Sequence, residues 1–119
     1  MKAKILLAHG ARNPDWAQPI LAIREVMLAR RPEARVEVAF LEFITPQLPE
    51  TIAGLVADGF LEIVIVPIFM AQSGHTKRDL PTLLEAARAR HGGLTIEIAT
   101  PIGEAASVVA AIADYALEV

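Results

Sequence analysis

The chain contains no cysteine, which excludes a thiolate metal site, a redox dithiol and a thiol nucleophile together. Any metal must therefore be held by imidazole, carboxylate or water. Disulfide staples are absent too, and at 119 residues one domain does without them, since a chain of this size buries roughly two thirds of its unfolded surface. A reducing compartment is its simplest home. Positive charge is not in surplus: the formal charge of -3 removes the global basic footprint of a nucleic-acid-binding domain. Long apolar runs are missing as well. The longest, Ile63 to Ala71, contains Pro67 and falls far short of the ~20 residues of a membrane helix. Met1-Lys2 leads straight into a strand-like run with no secretory pattern, so no membrane or nucleic-acid partner is expected and the cytoplasm is the expected location.

Familiar site motifs are absent. There is no phosphate-cradling G-x-x-x-x-G-K-[ST], no G-x-G-x-x-G after the first strand and no G-x-S-x-G elbow, which sets aside P-loop, dinucleotide-binding and α/β-hydrolase chemistry.

What is present is an alternation. Four aliphatic runs, near 3–8, 36–41, 61–67 and 94–99, alternate with four segments of helical period. Parallel neighbours need long crossover connections, so this order predicts an α/β fold: a single three-layer domain with a four-stranded parallel sheet. The first helix is expected over Trp16 to Arg30 with a core stripe of Trp16, Ile20, Ile23 and Met27. The second opens at Thr45-Pro46, turns Leu48, Ile52, Leu55 and Val56 inward and ends at Gly59. The third is expected to be capped by Asp79 and closed by Gly92-Gly93, and the fourth to run from Glu104 to Glu118 with Val108, Val109, Ile112 and Tyr115 or Ala116 inward. Its other face, Ala106, Ala110, Ala113 and Leu117, is also apolar and suits contact with a second copy.

Two histidines, His9 and His75, follow the first and third apolar runs, each beside glycine: Ala8-His9-Gly10 and Ser73-Gly74-His75. Doubly wound sheets of this size place those two strands side by side and bind ligands beyond their carboxyl ends. Two imidazoles delivered to that edge point to a divalent metal. Glu42 ends the second strand on the same edge, as a loop acceptor, a base or a ligand. Arg12 follows the first histidine and Lys77 and Arg78 the second; on an acidic protein, these cations suit a polyanionic ligand. His91 precedes Gly92-Gly93, where an imidazole serves the carbonyl end of a helix. Trp16 and Phe69 read as core.

These residues resemble the short-form class II metal chelatases of the CbiX and SirB type. Leu6-Leu7-Ala8-His9-Gly10 resembles that family's opening strand and first histidine, and Phe40-Leu41-Glu42 with Pro46 its second-strand motif. Pro67-Ile68-Phe69-Met70, Gly74-His75 and Asp79-Leu80-Pro81 resemble its most specific signature. A His-Gly strand end also occurs in histidine phosphatases, but those carry an arginine before the histidine, and here Ala8 stands there.

The resemblance implies a flavodoxin-like chelatase half and insertion of a divalent metal into sirohydrochlorin. It implies metal-binding roles for His9 and His75 and an active-site acid at Glu42. Gly10, Arg12, Ser73, Gly74, Lys77 and Arg78 are then expected to contact the polycarboxylate substrate. No tightly bound cofactor is expected; Co²⁺, Ni²⁺ or Fe²⁺ is a substrate, since neutral imidazoles suit all three. Short forms of the family pair as homodimers. Where the family often has Ser and Asp this chain has Ala11 and Asn13, and the competing reading is a non-catalytic metal or tetrapyrrole carrier.

Overall fold

The computed structural model describes residues 2–119, apart from the side chain of His75. Four strands form one parallel sheet: β1 (Lys2–Ala8), β2 (Arg35–Phe40), β3 (Glu62–Pro67) and β4 (Thr95–Ile98), in the spatial order β2-β1-β3-β4. The helices are α1 (Gln18–Arg30), α2 (Leu48–Ala57), α3 (Gly74–Arg90) and α4 (Ala106–Glu118). The winding reverses between β1 and β3, which lie side by side with Leu6 opposite Val66 and Leu7 opposite Pro67. Their carboxyl ends therefore open onto one crevice.

β1 is covered on both faces, which is why it reads as an unbroken apolar run. On one face Ala3, Ile5, Leu7, Ile63 and Ile65 pack against Leu48, Ile52 and Leu55 of α2 and Leu80 and Leu84 of α3. On the other, Leu6, Ala8, Val36 and Phe40 pack against Ile20 of α1. Fully burying each large aliphatic side chain is worth roughly 1.5–3 kcal/mol, so the core holds the strand ends rigidly.

Four expectations about the helices need correction. The first helix starts two residues later than expected, because Pro14–Ala17 forms a 3₁₀ turn and α1 begins at Gln18. Trp16 falls off the helical period and is 69% exposed. The inward stripe runs through Ala17, Ile20, Met27 and Leu28, while Ile23 faces solvent. Arg24 turns to the sheet instead, and its Nε donates to the Val36 carbonyl at 2.6 Å. Together with the Thr51 hydroxyl, which donates to the Val38 carbonyl at 3.0 Å, it occupies acceptors along β2, an edge strand.

The second helix begins at Leu48, not Thr45, with Glu50 accepting from the Gln47 amide at 3.3 Å. The inward residues Leu48, Ile52 and Leu55 are as expected.

The third helix starts six residues earlier than expected. Its cap is Ser73, whose hydroxyl accepts from the Thr76 amide at 3.2 Å. Asp79 lies inside the helix, ahead of Pro81.

The fourth helix does not cover the sheet. It packs mainly on the 3₁₀ turn Ile102–Glu104. Val109, Ile112, Tyr115 and Leu117 are exposed and Val108 is half-buried. Gly103 fixes this course: its amide donates to the Phe69 carbonyl at 3.0 Å, and a β-carbon there would overlap the Met70 backbone. The extended Ala105 then leads α4 outward. The resulting shape is elongated, 48 × 35 × 28 Å. No described helix is long and apolar enough to cross a membrane.

Candidate functional site

The β1–β2 pairing continues past the strands and builds the site. The Leu41 amide donates to the Ala8 carbonyl and the Glu42 amide to the His9 carbonyl, both at 3.0 Å. His9 and Glu42 are thereby locked side by side at the carboxyl edge. Gly10 permits the close approach: its φ is +90°, and a β-carbon would run into the Glu42 carbonyl oxygen. Only glycine meets both demands.

The His9 side chain is exposed, yet its ring is not loose. It stacks on Phe69, with centroids 4.2 Å apart and planes inclined by 28°. Phe69 is itself buried, so a side chain expected only as core also orients the imidazole. Such a stacked contact is worth ~0.5–1.5 kcal/mol.

A cavity of about 110 Å³ lies beside it, lined by His9, Leu41, Glu42, Thr76, Asp79, Leu80 and Leu83. One wall is thus the β1 and β2 ends, the other the first three turns of α3. Thr76 is buried and its hydroxyl is bonded to Ser73 Oγ at 3.0 Å. Thr76 and Asp79 were not singled out as site residues from sequence, and their signal was the i, i+3, i+4, i+7 spacing of Thr76, Asp79, Leu80 and Leu83. It was hidden by reading Asp79 as a cap. Imidazole and carboxylates on one water-accessible cavity can accept protons and offer a divalent ion nitrogen and oxygen donors. Among the described residues no three of His, Asp and Glu are clustered as a metal site.

The other expected site residues fall as follows. Position 75 lies in the first turn of α3, one turn before Asp79, and the His75 side chain, expected as the second metal ligand, lies outside the described residues. Ser73 and Gly74 are the cap and first residue of that helix, the Ser73 hydroxyl being committed to Thr76. Lys77 lines an adjoining cavity of about 290 Å³ at the end of β4, which shares Thr76 and Leu80 with the first. Arg78 is exposed and bends back, its Nε donating to the Gly74 carbonyl at 3.3 Å. Arg12 lies over the Phe43 ring, 5.5 Å from its centroid.

A larger cavity, about 440 Å³, runs along the outer side of β2 between α1 and α2. Its charged groups serve one another: Arg35 pairs with Glu37 at 2.8 Å and Asp58 at 2.7 Å. The hydrogen bonds to Asp58 and Glu37 hold the Arg35 pKa above its ordinary value. We read that groove as the support of an edge strand.

The family described as CbiX matches residues 3–119 of the chain. The sirohydrochlorin cobaltochelatase of Methanococcus aeolicus is 38% identical over 84 residues, covering 71% of this chain and 59% of that protein. The chain thus matches about three fifths of the length of that relative. Among solved structures, a protein of Marinobacter aquaeolei VT8 named as a cobalamin (vitamin B12) biosynthesis CbiX protein has a TM-score of 0.86 at 30% identity, over 99% of this chain and 96% of that one. The sirohydrochlorin chelatase SirB from Bacillus subtilis subspecies spizizenii, in complex with cobalt, has a TM-score of 0.81 at 27% identity, over 99% of this chain and 50% of that one.

Proposed function

The chain belongs to the CbiX family, and from that premise we propose that it is a sirohydrochlorin metal chelatase, a lyase-class enzyme that inserts a divalent metal into sirohydrochlorin. The observation that carries the proposal is the joining of His9, Glu42 and Asp79 on one cavity between the β1 and β2 ends and α3. Insertion exchanges two pyrrole N–H protons for one M²⁺, so the site must hold the ion, present it to the ring face and accept protons. His9, with its ring set against Phe69, is assigned to the ion. Glu42 and Asp79 are assigned to the protons. The His75 assignment as second ligand rests on the sequence motif.

Cobalt is the first choice of metal, supported by the name of the methanococcal relative and the cobalt in SirB. Nickel and ferrous iron are the alternatives, since imidazole accommodates all three and geometry, not affinity order, selects among them. Cobalamin synthesis is accordingly the favoured pathway over sirohaem. Arg12 and Lys77 are assigned to substrate carboxylates, with Arg78 behind them. The lack of cysteine supports a cytoplasmic setting.

A cavity of about 110 Å³ admits an ion and its waters, whereas a macrocycle-sized ligand needs roughly 300–1,000 Å³ and two walls. We therefore propose a homodimer in which a second copy completes the crevice. SirB supports this, since the chain covers half of that protein. The apolar, exposed α4 supplies surface for the contact.

The carrier reading drew on Ala11 and Asn13. Asn13 has a structural task here, its Oδ1 accepting from the Asp15 amide at 2.9 Å to cap the turn that follows. The two readings part on turnover: with sirohydrochlorin in tenfold excess over protein, a chelatase converts all of it to the metal complex, and a carrier stops at one equivalent.

A further inference from the structure

Phe43 carries a backbone conformation that a bulky residue rarely adopts. Its φ is 70°, and the Ile44 amide donates to the Glu42 carbonyl at 2.8 Å across it. That is a three-residue turn of the strained, positive-φ kind. Glycine or asparagine would sit there at less cost. The fold gains little in return, because the Phe43 ring is 57% exposed, whereas Phe40, three residues earlier, is fully inside.

Strain of this sort persists where the surroundings enforce it, and it collects at sites of function. Here the enforcing contact is adjacent: the same Glu42 carbonyl closes over Gly10, and the Glu42 amide is tied to His9. The turn therefore lies at the crevice edge, one residue past the Glu42 whose amide is tied to His9. There the ring faces the Arg12 guanidinium, whose Cζ lies 5.5 Å from the centroid. Arg12 has no carboxylate partner among the described residues, so the aromatic face is what orders it. A guanidinium over an aromatic ring keeps its N–H edge free for a bidentate acceptor.

We propose that Phe43 is a positioning residue: its strained turn holds the Arg12 guanidinium at the crevice edge as a ready-made receptor for a substrate carboxylate. The inference rests on the reading of the substrate as a polycarboxylate tetrapyrrole. It extends that reading by naming a residue whose role is neither metal binding nor proton transfer. Ordering the guanidinium beforehand lowers the entropic cost of capturing the carboxylate.

The test compares Phe43→Leu, Phe43→Tyr, Arg12→Ala and the Phe43→Leu/Arg12→Ala double variant in the metal-insertion assay, with Phe43→Gly followed by thermal unfolding. Phe43→Leu should raise KM for sirohydrochlorin about 3- to 10-fold, the range of a partly exposed cation–π contact, and leave kcat unchanged. Phe43→Tyr should restore KM. The double variant should be no worse than Arg12→Ala alone, because the ring acts through the guanidinium. Phe43→Gly, freed of the strain, should unfold at or above the wild-type temperature.

Wild-type KM in Phe43→Leu, or additive effects in the double variant, would overturn the assignment. So would a shift of Phe43→Leu to a smaller species in sedimentation, which would put the ring in a subunit contact. Failure of the wild-type protein itself to act on sirohydrochlorin would instead overturn the functional reading beneath it. A Phe43→Gly protein that unfolds several degrees lower contradicts the strain argument whatever the substrate.

Discussion

His9 and Phe69 come from neighbouring strand ends and meet face to face, ring centroids 4.2 Å apart. The buried partner fixes the exposed one. Phe69→Leu keeps most of the buried volume and should cost only about 1 kcal/mol of stability. The imidazole, however, loses its platform. Metal insertion should slow about 3- to 10-fold, the worth of a stacked pair, in a protein that stays fully folded under assay conditions although its unfolding midpoint falls by the amount that ~1 kcal/mol implies. Steady-state kinetics beside urea unfolding separates the two effects.

Two glycines give opposite outcomes on substitution by alanine. At Gly10 the positive φ and the Glu42 carbonyl both oppose a side chain, so Gly10→Ala should lose at least ~2 kcal/mol and displace Glu42, with loss of activity. At Gly54, inside α2, a β-carbon meets nothing within 4 Å. Gly54→Ala should therefore gain ~0.5–1 kcal/mol. Denaturant unfolding of the pair measures both; equal shifts would contradict the geometry.

His9→Ala should weaken Co²⁺ binding, because it removes the imidazole nitrogen assigned to the ion. His91→Ala should not, because His91 closes α3 away from the crevice, its amide donating to the Ala87 carbonyl. Calorimetric titration with Co²⁺ gives the comparison, and an unaltered affinity in His9→Ala would remove His9 from the metal site.

The sheet was legible because period and order are local properties of a sequence. The unbroken run Ile5-Leu6-Leu7-Ala8 fits a strand covered on both faces, and the β1/β3 junction followed from the alternation. His9 and Glu42 were legible as strand ends for the same reason. The misread features depend on contacts or caps that a pattern does not carry. Asp79, a residue type that caps helices, draws the expected start of α3 to itself, whereas the Ser73 hydroxyl sets it. Helical period continued back to Trp16 without signalling that Pro14–Ala17 winds as 3₁₀. An apolar face on α4 says that it will be covered, but not by what. The Phe43 turn and the Arg12–Phe43 contact have no periodic signature at all.

α4 carries the clearest consequence for assembly. Its Val109, Ile112 and Tyr115 are exposed at 48%, 44% and 68%, a continuous apolar face at i, i+3, i+6. If a second copy covers it, Ile112→Glu should place an unpaired charge in the contact and raise the dimer dissociation constant by about tenfold or more. The fold should persist, because α4 stands off the sheet. Sedimentation equilibrium across micromolar concentrations reads this directly. A wild-type protein that sediments as a 12.8 kDa monomer would remove the dimer.

The central claim is metal insertion by the His9–Glu42 edge, and its most direct measurement is the absorption change of metal-free sirohydrochlorin on mixing with Co²⁺, with and without the protein. The account predicts multiple turnovers well above the spontaneous rate, with two protons released per ion inserted, and a rate in the His9→Ala protein close to background. A wild-type rate equal to the spontaneous one with Co²⁺, Ni²⁺ and Fe²⁺ alike would contradict it.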